Sequence, residues 1–147
     1  MTAAAAIDIL LVEDNPQDAE LALRSLRRAQ IANPVHVASD GAEALDFLLG
    51  AGVDAGAARE RPPKVVFLDL KLPKVSGLEV LKRIKEDART RSIPVVVLTS
   101  SREEPDVRAA YLLGANSYVV KPIDFEQFAG AVHQMGLYWL LLNEPPR

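Results

Sequence analysis

Five residues set at the ends of apolar runs carry the chemistry available to this chain: Glu13, Asp14, Asp69, Thr99 and Lys121. Each follows or closes a short run of Val, Ile, Leu or Phe that reads as a β-strand, so parallel strands would deliver all five to one edge of one sheet. Three carboxylates within a few ångströms repel by about 4 kcal/mol per pair at an effective dielectric of about 20. Such a cluster demands a positive charge. Magnesium meets the demand, because it takes one or two carboxylates with waters and phosphate oxygens and needs no soft ligand. Lys121 supplies a point charge on a long stem, suited to a phosphoryl oxygen, and Thr99 a short hydroxyl donor for another. Asp69 is then the nucleophile that forms an aspartyl phosphate, leaving little for the protein beyond positioning and charge stabilisation. Taken singly, Glu13 and Asp14 read as turn acids, Tyr118 as an ordinary strand residue and Lys121 as a surface lysine. Their joint placement is what favours a site.

The elements that must position these residues are legible as five apolar runs, at 7–12, 35–38, 65–68, 95–98 and 118–120. Four are continuous, as strands are when helices cover both faces of a parallel sheet. Between them lie segments of helical spacing. Asn15 and Pro16 open the first as N-cap and first helical residue. Capping-box pairs, Asp40 with Glu43, Ser76 with Glu79 and Asp124 with Gln127, open others. The order is βα repeated five times, an α/β doubly wound five-stranded parallel sheet, whose ligands collect at the carboxyl ends of the central strands. The stretch 50–64, GAGVDAGAARERPPK, is long for such a connection and reads as a surface loop.

The blocks LLVEDNPQDAELAL, VVFLDLKLPKVSGLEVL and VVVLTSSREEPDVRAAYLLGANSYVVKP resemble the diagnostic segments of response-regulator receiver domains, and the likeness spans roughly residues 7 to 140. The resemblance implies a flavodoxin-like sheet in the order 2-1-3-4-5, in a single-domain regulator of the chemotaxis type. It implies Asp69 as phosphoacceptor, magnesium held by Glu13, Asp14, Asp69 and the backbone carbonyl of Lys71, and Thr99 with Lys121 as the phosphate-binding pair. Tyr118 matches the aromatic switch, the peptide between Lys121 and Pro122 is cis in the family, and Lys71 and Ser101 stand where the family tunes hydrolysis. Phosphate on Asp69 would draw in Thr99, let Tyr118 rotate inward, and so alter the surface of the fourth helix, fifth strand and fifth helix.

Partners are expected from the helices. On the first, Ala19, Ala22, Leu23, Leu26 and Ala29 form the inward stripe, whereas Leu21 points away and could dock a sensor histidine kinase. Near the C-terminus, Phe125, Phe128, Val132, Met135, Trp139 and Leu142 repeat at steps of three and four, with Tyr138, Leu140 and Leu141 off the stripe. This surplus of apolar surface points to a homodimer through Phe128, Tyr138, Trp139 and Leu142, the alternative being a tail folded back on its own domain. The long loop and the WLLLNEPP ending resemble, more narrowly, regulators paired with bacterial phytochrome histidine kinases. His36 and His133 have no acidic or histidine company and read as structural.

The bulk properties bound these readings. At 147 residues and 49% hydrophobic, the chain holds one core. The expected division is a tail at 1–6, a receiver domain at 7–142 and a tail at 143–147. Output must therefore pass through another protein or a second copy. A net charge of -3 gives no basic face for nucleic acid. The absence of cysteine rules out disulfides and thiolate metal sites. MTAAAA lacks the form of a secretion signal and no apolar run could span a bilayer, so a cytoplasmic protein without membrane attachment is expected. A rival reading, a magnesium-dependent phosphatase of the haloacid dehalogenase type, needs a second carboxylate two residues after the nucleophile, where Lys71 stands. A nucleotide-binding module would need a glycine-rich first turn, and EDNPQD has none.

Overall fold

The fold is described from a computed structural model, covering residues 8–28, 31–50, 62–121 and 126. Strands β1 (Ile9–Val12), β2 (Val35–Ala38), β3 (Val65–Leu68), β4 (Val95–Thr99) and β5 (Ser117–Val120) alternate with helices α1 (Pro16–Arg28), α2 (Gly41–Leu49), α3 (Gly77–Glu86) and α4 (Glu104–Leu112). All strand pairs are parallel, in the order β2-β1-β3-β4-β5. The winding thus reverses between β1 and β3, where the strand-end acids lie.

Continuous apolar sequence in β1, β3 and β4 serves two cores at once, because successive side chains leave a strand on opposite faces. Leu10, Val12, Val66, Leu68, Val95 and Val97 pack with Phe47, Leu48, Val80, Leu81 and Ile84 under α2 and α3. Ile9, Leu11, Val65, Phe67, Val96 and Leu98 pack on the other face with Ala19, Ala22 and Leu26 of α1. The inward stripe expected for α1 is buried where described, with Leu23 partly so and Ser25 added to it. Ala29 lies outside the described residues, as do Ile7, most of the 50–64 loop and everything from Gln127 onward.

The helix starts follow their caps. Asn15 Oδ1 accepts from the amides of Gln17 and Asp18 at 2.9 and 3.2 Å, Asp40 Oδ1 from Glu43 at 2.7 Å and Ser76 Oγ from Glu79 at 3.2 Å. The reciprocal half of the Asp40 box is displaced by one residue: Glu43 Oε2 accepts from the Ser39 amide at 2.9 Å, not from that of Asp40. Helix α4 differs, since its N-cap, Glu103, makes no side-chain cap bond.

The turn from β3 to α3 is the tightest. A Cβ on Gly77 would stand 2.1 Å from the Asp69 carbonyl oxygen, so only glycine lets the helix start pass so close to that backbone. Within the same turn Lys74 holds φ at 69°, unfavourable for a side-chain-bearing residue. Its ammonium lies 3.4 Å from Asp40 Oδ2 at the start of α2.

Candidate functional site

Sheet pairing carries on past the strands and delivers the polar residues. The Glu13 amide donates to Ala38 O at 2.9 Å, the Asp69 amide to Val12 O at 3.0 Å and the Lys121 amide to Thr99 O at 2.8 Å. Strands β1, β3 and β5, the last joined to β3 through β4, therefore release Glu13, Asp69 and Lys121 at the same edge of the sheet. The Lys121 ammonium donates to Glu13 Oε1, to Asp69 Oδ2 at 3.1 Å and to Asp18 Oδ2 at 3.1 Å. Glu13 and Asp69 are buried, whereas Asp14 is exposed. Carboxylate oxygens of Glu13, Asp14 and Asp69 all lie within 4.8 Å of one another.

Charge at this edge is unbalanced, four carboxylates against one ammonium. Burial in the first place, and the negative charge of Asp69 besides, push the Glu13 carboxyl up to about 7, against the pull of Lys121 and the Asn15 amide. For Lys121, burial opposes the charged form, but its bonds to Glu13 and Asp18 and the attraction of Asp69 outweigh it and hold the ammonium above its ordinary value. Lys121 is thus a fixed cation. The excess negative charge, borne by oxygen donors alone, suits a hard divalent ion and offers nothing to a soft one.

Around this centre the remaining expected residues are distributed unevenly. Thr99 is fully buried at the end of β4. Lys71 is exposed, and its amide donates to Asp69 Oδ1 at 3.2 Å, fixing the carboxylate from below. Ser101 is buried with its hydroxyl donated to Asp106, and Tyr118 donates its hydroxyl to the Ser101 carbonyl at 3.0 Å. Leu21 is 37% exposed on α1, beside Pro16, Gln17, Glu20 and Arg24 in a shallow depression. Pro122, and with it the expected cis peptide, lies outside the described residues, as do Phe128, Tyr138, Trp139 and Leu142. His36 stacks on Phe47 with ring centroids 4.5 Å apart, a packing role.

Sequence reasoning missed Asp18 and Asp106. An acid in the first turn of α1 is sufficiently explained by the positive end of the helix dipole, and that ordinary explanation hid the contact of Asp18 with Lys121. Its spacing of four from Asp14 was the available signal.

A doubly wound parallel sheet with acids gathered on a lysine at its switch point defines the class, and the response regulator receiver domain family matches residues 9–133; the chain belongs to that family. Its relatives make the likeness more particular. It is 44% identical over 138 residues to the probable methanogenesis regulatory protein FilR2 of Methanothrix harundinacea, covering 94% of this chain and 86% of that one. Among solved structures it resembles the bacteriophytochrome response regulator RtBRR, with a TM-score of 0.80 and 54% identity over 94% of this chain and 82% of that one. It also resembles the phosphorylated cyanobacterial phytochrome response regulator RcpA, with a TM-score of 0.77 and 37% identity over 97% of this chain and 100% of that one. A third likeness is to the Mn(2+)-bound form of response regulator Rcp1, with a TM-score of 0.74 and 36% identity over 95% of this chain and 98% of that one. The protein is a signalling receiver. Among the described residues no helix is long and apolar enough to cross a membrane.

Proposed function

We propose that the protein accepts a phosphoryl group from a sensor histidine kinase onto Asp69. The observation that carries this reading is the convergence of Glu13, Asp14 and Asp69 within 4.8 Å, with Lys121 bonded to two of them. An Asp69 oxygen attacks the phosphorus of the kinase phosphohistidine, the P–N bond breaks, and the departing imidazole nitrogen takes a proton from solvent. Glu13, Asp14, Asp69 and the Lys71 carbonyl would hold magnesium, which when bound supplies charge neutralisation for the phosphoryl oxygens. Lys121 and Thr99 each give a donor to one phosphoryl oxygen. Lys71 and Ser101 would tune hydrolysis. The same side chains would carry out this transfer and the later hydrolysis, in which water attacks the phosphorus, the bond to the Asp69 oxygen breaks and inorganic phosphate leaves, without turning over any other substrate.

The kinase proposed is of the bacteriophytochrome type, a reading supported by the names of RtBRR and RcpA. The switched surface would be that of α4, β5 and the segment after it. Tyr111 and Leu112, 50% and 80% exposed on α4, add apolar area to it, and Phe128, Tyr138, Trp139 and Leu142 would complete a homodimer. The working unit is taken as residues 7–142 between short tails, acting in the cytoplasm. Incubation with phosphorylated kinases of this type, comparing transfer to the wild type with transfer to Asp69→Asn, tests the function. A wild type that gains no phosphate from any donor would refute it. Sedimentation with and without phosphate tests the dimer, and a monomer in both states at high concentration excludes it.

Two further results are expected. Leu21→Arg should slow transfer from the kinase about tenfold while leaving phosphorylation by acetyl phosphate unchanged, since only the former needs the α1 face; equal slowing places Leu21 elsewhere. The second concerns acidity. The folded-state value of Glu13, about 7, lies above the ordinary 4.5. A carboxyl shifted in this direction binds its proton more tightly when folded, so the magnesium-free protein loses stability as pH rises from about 4.5 to about 7. Magnesium removes that penalty by replacing the proton. Calorimetry should show a larger rise in Tm on adding magnesium at pH values well above that of Glu13 than at values well below it. Equal rises would show that Glu13 does not face the ion.

A further inference from the structure

One residue joins the parts that must move. Ser101 donates its amide to Thr99 Oγ1 at 3.4 Å, accepts the Tyr118 hydroxyl on its carbonyl at 3.0 Å and accepts the Glu103 amide on its own hydroxyl oxygen at 3.3 Å. That hydroxyl is in turn donated to Asp106, in the first turn of α4. Ser101 is thus bonded at four points and 5% exposed. Helix α4 has no side-chain cap of its own, so its entry is held by Ser101 alone among the described side chains.

We propose that Asp106 is a positioning residue that, through the Ser101 hydroxyl, latches Thr99, Tyr118 and the start of α4 in their resting arrangement. The inference rests on the reading of Asp69 as phosphoacceptor. A hydroxyl given to a carboxylate is charge-assisted and stronger than the neutral bonds beside it. Thr99 cannot advance toward a phosphoryl oxygen on Asp69 without dragging the Ser101 backbone, and that motion strains the Ser101 hydroxyl against Asp106. The same motion withdraws the carbonyl that Tyr118 holds. Burial first, and the charges of Asp106 and Asp69 after it, also push the Tyr118 phenol up, which places Asp106 close enough to bias that ring. Weakening the latch raises the population of the moved arrangement before any phosphate arrives, and phosphate then meets a site already disposed to hold it.

The test uses the full chain labelled with 3-fluorotyrosine, the Tyr118 fluorine signal being assigned by Tyr118→Phe among the three tyrosines. In Asp106→Ala the Tyr118 signal should shift in the absence of phosphate, and uptake from acetyl phosphate should quicken about fivefold at unchanged magnesium affinity. Asp106→Asn, whose carboxamide oxygen can still accept the Ser101 hydroxyl but without the charge, should fall between wild type and Asp106→Ala in both readouts. Ser101→Ala should reproduce Asp106→Ala and serves in its place if that variant fails to fold. An unmoved Tyr118 signal in these alanine variants overturns the latch, and a moved signal without faster uptake overturns its control of phosphorylation. Should the wild type take up no phosphate at all, the phosphoacceptor reading fails, while the Tyr118 signal still decides whether Asp106 holds the ring.

Discussion

Asp69→Asn is expected to end phosphate uptake from kinase and acetyl phosphate alike, a loss of more than roughly a thousandfold, and to do so in a protein that melts higher than the wild type. The first effect follows from chemistry, because a carboxamide oxygen is not a nucleophile and Asp69 is the proposed acceptor. Glu13 and Asp18 share Lys121 with Asp69, and Glu13, like Asp69, rests its second oxygen on a backbone amide, Asn15 in the one case and Lys71 in the other, each at 3.2 Å; what sets Asp69 apart is its place at the end of β3, the central strand, flanked by β1 and β4. The second effect follows from charge. Burial chiefly, with the Asp69 charge in addition, holds the Glu13 carboxyl at about 7, so neutralising position 69 removes part of the cost of ionising Glu13. Relief of about 1 kcal/mol would raise Tm by about 3 °C in a domain of this size, without magnesium. Intact-mass measurement reads the first effect and thermal melting the second. Phosphate on the variant would show another acceptor, and a lower Tm would show that the cluster is not under electrostatic strain.

Strand-end residues are the most legible part of such a molecule, because a buried parallel strand is a continuous apolar run and the first polar residue after it marks the sheet edge. Glu13, Asp69 and Lys121 are of this kind, and the structure places them together through backbone bonds that simply prolong the ladders. Caps were legible for the same local reason: Asn15, Asp40 and Ser76 each act within three residues. Long-range side-chain contacts were not. Asp18 meets Lys121 across 103 positions, and Asp106 matters only because the β4–α4 turn brings Ser101 to it. Neither carries a local pattern stronger than an acid at a helix start. The need for glycine at position 77 belongs to the same category, since it arises from the approach of α3 to the Asp69 carbonyl and from nothing in the neighbouring sequence.

Lys121→Ala carries the other large effect, and it separates stability from ion binding. The side chain is 9% exposed and donates to Glu13, Asp18 and Asp69, so alanine leaves two buried carboxylates facing each other without a counterion. Breaking a buried ionic network from one side costs about 3 kcal/mol or more, equivalent to a fall in Tm of about 10 °C in a domain of this size. Two conditions should shrink that fall. Lowering the pH protonates Glu13 and removes one of the facing charges, while magnesium supplies the missing positive charge directly. On the proposal that Glu13 and Asp69 hold the metal, Lys121 competes for the same carboxylates, and the variant should bind magnesium about tenfold more tightly than the wild type. Phosphorylation should nevertheless slow about a hundredfold, since the proposed function makes the lost ammonium the donor to charge that develops on the transferring group. A variant with tighter magnesium and slower phosphorylation is the signature of a lysine that neutralises the resting site and serves the phosphoryl group in turn. If titration calorimetry found magnesium binding unchanged, Lys121 would not share its carboxylates with the ion, and the resting network would be independent of the metal site.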